Sequence, residues 1–249
     1  MFKGRTTISG RQNFLGAYNV MNTTPPLIRK SLFEIPYWIV HFDEVAAYHE
    51  EMVQEVEKLI ESDIDKDDPP RYLAHQTASD PFNLPSRGWR ILEQLSNQVY
   101  SDLAKKHFQR WRSGQFHLRR WAIRFGYLSE DDKERLTRDS VHNHLPALFS
   151  SIYYLSVPQE FAEKTEGGTR FINPIGNLMD FMGPRENVIA PKEGRFIVFP
   201  SFVDHAPIPL HWDASDKPRI VISSDVFYVS GEALNQSSAA VVKAEPDTD

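Results

Sequence analysis

At Gly114 the spacing of apolar residues changes from about 3.6 to about 2, and this change constrains the fold more than any other feature of the chain. Before it, Val45, Tyr48, Met52, Val56, Leu59 and Ile60 recur on one helical face through Glu61, with Asp43 placed to cap the helix and DIDKDDPP placed to end it. Leu92, Leu95, Val99 and Leu103 predict a second helix over 87–112, which Gly114 closes. Upstream of both, SLFEIPYWIVH (31–41) is rich in aromatic and β-branched residues and reads as a strand, with Pro36 favouring a sheet edge. Beyond Gly114, residues 116–125, 148–155, 168–172, 194–199 and 218–228 read as short strands separated by turn segments such as GYLSEDD, PIGN and MGPRE. Helices first and strands afterwards predict an α+β, mainly β domain in which helices buttress one face of a sandwich or jelly roll.

A chain of 249 residues with 41% hydrophobic content can bury a sizeable core without covalent staples. Residues 1–30 and 230–249 are small, polar and aperiodic, so the expected organisation is a flexible arm, one domain over 31–229 and a disordered tail. No apolar run approaches a membrane span and the N-terminus lacks the apolar stretch of a signal peptide, so the expectation is a soluble, cytoplasmic protein with no membrane partner. Formal net charge is −6, unevenly placed. Residues 41–70 carry 11 acidic and 2 basic side chains, and residues 105–124 carry 7 basic and none acidic. The basic stretch lacks the glycine spacing and interleaved aromatics of a nucleic-acid surface, so two mutually attracting solvated faces are expected and no nucleic-acid partner. Oligomeric state is not readable from the sequence.

Cysteine is absent, which removes thiolate metal sites, iron–sulfur clusters and cysteine nucleophiles and leaves His, Asp and Glu as the only metal donors. Six of the nine histidines (His41, His49, His75, His107, His117 and His211) have ordinary structural explanations. The remaining three are His142, His144 and His205. In VHNHLP two imidazoles stand one residue apart before a strand, so an extended backbone aims them to the same side. GRFIVFPSFVDH then carries a later apolar strand into a Pro-containing turn that delivers His205 at its far end. Three facial ligands on strand ends leave the other coordination positions of a metal open. In PRIVISSDVFY, alternation puts Arg219, Val221, Ser223 and Asp225 on one strand face. An arginine inside so apolar a strand requires an anion, either a carboxylate of the same chain or a ligand.

The segments GRFIVFPSFVDH and KPRIVISS, preceded by WAIRFG, VHNHLPALFSSIYYL and GGTRFINP, resemble the iron(II)- and 2-oxoglutarate-dependent oxygenase superfamily. More narrowly they are similar to the bacterial and phage "putative 2OG-Fe(II) oxygenase" group related to prolyl hydroxylases, and the likeness spans roughly Leu32 to Phe227. What the resemblance implies is a double-stranded β-helix that uses Fe(II), 2-oxoglutarate and O2 and releases succinate and CO2. It places iron on His142 and His205, with the third ligand either His144 or a carboxylate from Asp204, Asp180 or Asp225. It places the distal carboxylate of 2-oxoglutarate on Arg219, with Ser223 and Tyr154 as hydroxyl partners, although Tyr154 reads equally as a core tyrosine.

The implied activity is oxidation, with hydroxylation of an unactivated C–H as the default. The substrate expected is a small, anionic metabolite or an amino-acid-like molecule. That expectation rests on Arg120 and Arg124, which share one face of 117–125 and either line the cavity or pair with the acidic helix. Phe149, Phe171, Phe199 and Trp212 are candidates for an apolar wall, and 126–140 and 173–193 are candidate lids. Two other classes remain open: a three-histidine metal dioxygenase that does not use 2-oxoglutarate, and a non-catalytic jelly-roll binding module.

Overall fold

The helices and strands fall largely on the two sides of the period change. The computed structural model describes residues 35–63, 74–107, 115–125, 141–174, 184–208 and 217–229. The expected arm and tail, the candidate lid at 126–140, and Asp180, His211 and Trp212 lie outside the described residues. The described strands are β1 (Trp38–His41), β2 (Ala74–Gln76), β3 (Gln115–Phe125), β4 (Phe149–Ser156), β5 (Thr169–Ile172), β6 (Glu186–Ile189), β7 (Arg195–Pro200), β8 (His205–Pro207) and β9 (Arg219–Val229). The helices are α1 (His49–Asp63) and α2 (Arg87–His107).

The strands form two antiparallel sheets, a major one in the order β1-β7-β4-β9-β3-β2 and a minor one in the order β6-β5-β8. The mainly β, jelly-roll architecture buttressed by N-terminal helices is the one expected. β1 lies on a sheet edge, as Pro36 just before it favours. Asp43 does not cap the first helix: Phe42 holds that position, a tight turn over Asp43–Tyr48 sinks Val45 into the core, and α1 begins only at His49. The strands β2, β6 and β8 were not expected. β6 occupies part of the candidate lid at 173–193, where pairing with β5 fixes it in the minor sheet.

Alternation along the major sheet sorts its side chains into two apolar layers. Phe149, Tyr153, Phe196, Val198, Ile222 and Val226 face the helices and pack with Met52, Val56, Ile60, Trp89 and Leu92. Ile152, Tyr154, Ile197, Phe199 and Val221 face inward and pack with Phe171 and Ile189 of the minor sheet. Each fully buried side chain of this size contributes roughly 1.5–3 kcal/mol relative to exposure. The helices therefore hold the major sheet from behind, and the functional groups are free to occupy the inward layer.

Candidate functional site

His142 and His205 are joined by backbone before they meet as side chains. The His142 N–H donates to the His205 carbonyl at 3.0 Å and the His205 N–H to the His142 carbonyl at 2.9 Å, an isolated antiparallel bridge. The His144 N–H donates to the Ser201 carbonyl at 2.9 Å, which ties the VHNHLP segment to the end of β7. The ring centroids lie 4.6 Å (His142 and His205), 4.9 Å (His142 and His144) and 5.1 Å (His144 and His205) apart. One nitrogen from each lies within 4.8 Å of the others, so a single ion can be held among them. His142 is exposed, His144 half-buried and His205 buried, which gives a site open on one side.

The environment of His205 keeps its imidazole neutral. Burial, reinforced by His142, pushes its pKa down to about 3. Its Nδ1 lies 3.1 Å from the Val203 carbonyl, which can only accept, so Nδ1 carries the hydrogen and Nε2 keeps the lone pair a metal needs. Phe171 and Phe199 pack against this ring with centroids 6.0 and 4.7 Å away. Phe149, expected on the same wall, faces the helices because it has the opposite parity on β4.

Among the carboxylates considered as ligands, Asp204 is exposed and accepts from the Asn143 side chain at 2.9 Å. Asp225 is fully buried behind His144, with Oδ1 3.2 Å from His144 Nδ1. Ser150 Oγ donates to the same oxygen at 2.9 Å, and Arg119 donates to the other at 2.5 Å. Burial works to raise the Asp225 pKa, but the bonds from His144, Ser150 and Arg119 outweigh it and hold the carboxyl below its usual range.

Deeper in the same layer, Arg219 is 2% exposed and its described contacts are sparse. One terminal nitrogen reaches the Gly168 carbonyl at 3.5 Å, and Nε has no partner among the described residues. The guanidinium lies 4.0 Å over the Phe125 ring and 5.8 Å from the Tyr154 ring. Burial lowers its pKa from the ordinary value, yet a guanidinium stays charged in proteins. Tyr154 is buried beside it with its hydroxyl 2.8 Å from Thr169 Oγ1. Ser223 sits one side-chain position along β9 from Asp225 and two from Arg219, between the two ends of the site.

The expectation that Arg120 and Arg124 line the cavity is not met. Arg120 turns to the helical side, where it pairs with Asp80 at 2.9 Å and Glu93 at 2.5 Å and lies 4.1 Å over the Phe82 ring. Arg124 pairs with Glu57 of α1 at 3.2 Å, the attraction between basic strand and acidic helix that was the alternative. The opposite face of β3, carrying Arg119, Trp121 and Phe125, is the one toward the site: Trp121 lies 5.7 Å from the His144 ring, and Arg119 stacks on Trp121 at 5.1 Å. Arg119, Trp121 and Thr169 were missed as site residues. The alternation that groups Arg119 with Trp121 is visible in the sequence, but nothing in it says which face of β3 turns inward, and nothing marks Thr169.

Residues 132–225 match the family model described as "Putative 2OG-Fe(II) oxygenase". No curated protein matches the chain. Similar solved structures include a prolyl-4-hydroxylase from Pseudomonas putida, 13% identical, covering 79% of this chain and 94% of its own with a TM-score of 0.49. They also include a prolyl hydroxylase from Trichoplax adhaerens in complex with a hypoxia inducible factor peptide, 15% identical, with coverages of 84% and 87% and a TM-score of 0.49. HygX from Streptomyces hygroscopicus, with nickel, 2-oxoglutarate and hygromycin B bound, is 10% identical, with coverages of 78% and 83% and a TM-score of 0.47. The stretch that holds His142, His144, His205 and Arg219 falls within the match to the 2OG-Fe(II) oxygenase family model, which describes oxidoreductases that use Fe(II) and 2-oxoglutarate, and its three imidazoles could hold a metal ion.

Proposed function

We propose that this protein hydroxylates an unactivated C–H bond of a small-molecule substrate, with His142, His144 and His205 holding the metal and Arg219 anchoring 2-oxoglutarate. The observation that carries the reading is Arg219: a buried guanidinium with an unpartnered Nε among the described residues, in the same inward layer as three clustered imidazoles. A buried charge this sparsely matched among the described residues, with the Phe125 and Tyr154 rings, the Gly168 carbonyl and the Tyr154 hydroxyl as its neighbours, costs several kcal/mol, and an anionic ligand would offset that cost. The donor chemistry fits as well. Three imidazole nitrogens suit Fe(II) and leave coordination positions open.

The spacing supports a short diacid. On β5, Thr169 is bonded to Tyr154 beside Arg219, and Phe171, one side-chain position further along, packs on His205. One such step is roughly 7 Å, the scale of a five-carbon chain with a carboxylate at each end. Arg219 would take the far carboxylate through a charge-assisted pair, with the Tyr154 and Thr169 hydroxyls beside it and Ser223 on the path. Iron, when bound, supplies the O2 chemistry that couples loss of CO2 from 2-oxoglutarate to oxidation of the substrate. The chain's part is to fix the diacid at its far end, to keep His205 neutral, and to exclude water with Phe171 and Phe199. Arg119 and Trp121, beside His144, are the described groups of β3 that a substrate would meet, and the exposed guanidinium of Arg119 favours a substrate carrying an anionic group.

The test is anaerobic titration of the metal-free protein with Fe(II) and 2-oxoglutarate, followed by succinate assay on admitting O2 with candidate substrates. A visible metal-to-ligand charge-transfer band, lost in His205→Ala, and succinate formation are expected. Fe(II) binding with 2-oxoglutarate-independent O2 uptake would select the three-histidine dioxygenase class instead. No Fe(II) binding would leave a binding module.

A further inference from the structure

We infer that Asp225 is the positioning residue of this metal centre: it fixes the tautomer and direction of His144, so that a histidine serves at the place where a carboxylate commonly completes a facial triad. The inference rests on the three-histidine site proposed above. Asp225 is fully buried on β9, and its Oδ1 meets His144 Nδ1 at 3.2 Å. An ionised carboxylate can only accept, so the hydrogen of a neutral His144 must sit on Nδ1, and Nε2 is left as a lone pair for the ion. A histidine ligand braced in this way by a carboxylate is both oriented and made a stronger donor.

The carboxylate is itself held on both oxygens. Ser150 from β4 donates to Oδ1 at 2.9 Å, and Arg119 from β3 donates to Oδ2 at 2.5 Å. Because Ser150 is opposite Asp225 in the β4–β9 register and Arg119 opposite it in the β3–β9 register, three neighbouring strands converge on one side chain. Such a site is too rigid for a chance contact with His144. It also separates two roles that a carboxylate in a facial triad combines: the imidazole provides the bond, and the anion stays in the sheet. Arg119 is 63% exposed in its side chain while Asp225 is 0% exposed, so the arginine acts from the surface as a brace.

Two measurements on the full chain test this. Long-range proton–nitrogen spectra of the metal-free wild type near neutral pH, with His144 assigned from His144→Gln, are expected to show the Nδ1–H tautomer for His144. Finding Nε2–H there would overturn the inference without any change to Asp225. Co(II) titration, read by its visible absorbance, is expected to show binding weakened 10–100-fold in Asp225→Asn. Wild-type affinity in Asp225→Asn, with the wild type binding normally, overturns the role of Asp225 and leaves the metal site standing. Failure of the wild type itself to bind Co(II) overturns the metal site and the Asp225 role together.

Discussion

Arg219 shows how a single residue can be set against the stability of its own fold. Its charge is buried with little to satisfy it among the described residues, so a Met of similar length should pack better against Phe125 and Tyr154. Arg219→Met is expected to raise the stability of the metal-free protein by about 1 kcal/mol or more, measured by urea denaturation, because an apolar side chain has no desolvation penalty there. The same change removes one side of a buried charge pair with 2-oxoglutarate, worth about 2–5 kcal/mol, so the 2-oxoglutarate KM should rise at least about 30-fold. A variant that is both less stable and normal in KM would show that the guanidinium answers to a carboxylate of the chain itself. His49 behaves differently. Its Nε2 lies 2.6 Å from the Tyr153 hydroxyl, and burial, aided by Lys217 and opposed by Glu193, lowers its pKa. The unfolded chain therefore binds a proton more readily than the folded one. The His49 contribution to stability is whole above about pH 6.5 and is lost as pH falls through the lower, folded value. Between about pH 7.5 and about pH 5 the wild type should lose more melting temperature than His49→Gln, and equal losses would exclude His49 as a source of acid sensitivity.

Among the elements, the two helices meet at one close approach. A Cβ on Gly88 of α2 would lie 2.4 Å from Met52 Sδ and 2.7 Å from Tyr48 Cβ, so backbone and side chain already touch where α1 and the preceding turn cross α2. Met52 can flex, but Tyr48 is fixed at its Cβ. Gly88→Ala is expected to destabilise by roughly 1–3 kcal/mol in denaturant titration, with unchanged metal affinity, since the helices lie behind the sheet and not in the site. This division also explains what could be read in advance. The long strands β3 and β9 carry enough alternation to reveal themselves, β4 enough aromatic and aliphatic residues in a short run, and α1 and α2 enough helical stripe. β2, β6 and β8 are three or four residues long and exist because a partner edge holds them, which no local pattern records. β8 matters most, since it delivers His205, and it was anticipated only as the end of a loop. Parity gave the correct sets on β3 but not their direction: both faces carry arginine, and the sheet has apolar layers on both sides, so composition cannot tell the helical side from the cavity side. The contact between Asp225 and His144 was beyond reach for a related reason. It depends on where the VHNHLP segment docks against the ends of β7 and β8, and that is set by backbone bonds to Ser201 and His205.

At the scale of the whole molecule the proposed site has its parts on different bodies. His205 belongs to β8 of the minor sheet, while Arg219 and Asp225 belong to β9 of the major sheet. No described helix is long and apolar enough to cross a membrane, and α1 and α2 serve the major sheet alone. The inward layer joins the sheets by apolar contact through Phe171, Phe199 and Ile197, which is strong but not directional. A ligand held at one end by a metal on His205 and at the other by Arg219 would add a directional link across that layer. Stabilisation by 2-oxoglutarate should therefore depend on metal. With saturating Co(II), 2-oxoglutarate at about 100 times its Kd is expected to add about 2.7 kcal/mol, a rise of roughly 5–10 °C in melting temperature for a domain of this size. The same concentration without metal should add far less, because only the Arg219 end is engaged, and His205→Ala should lose the metal-dependent increment while keeping the small residual one. Equal shifts with and without metal would mean that 2-oxoglutarate binds at Arg219 independently of the histidines, and the two halves of the inward layer would then have to be treated as separate sites.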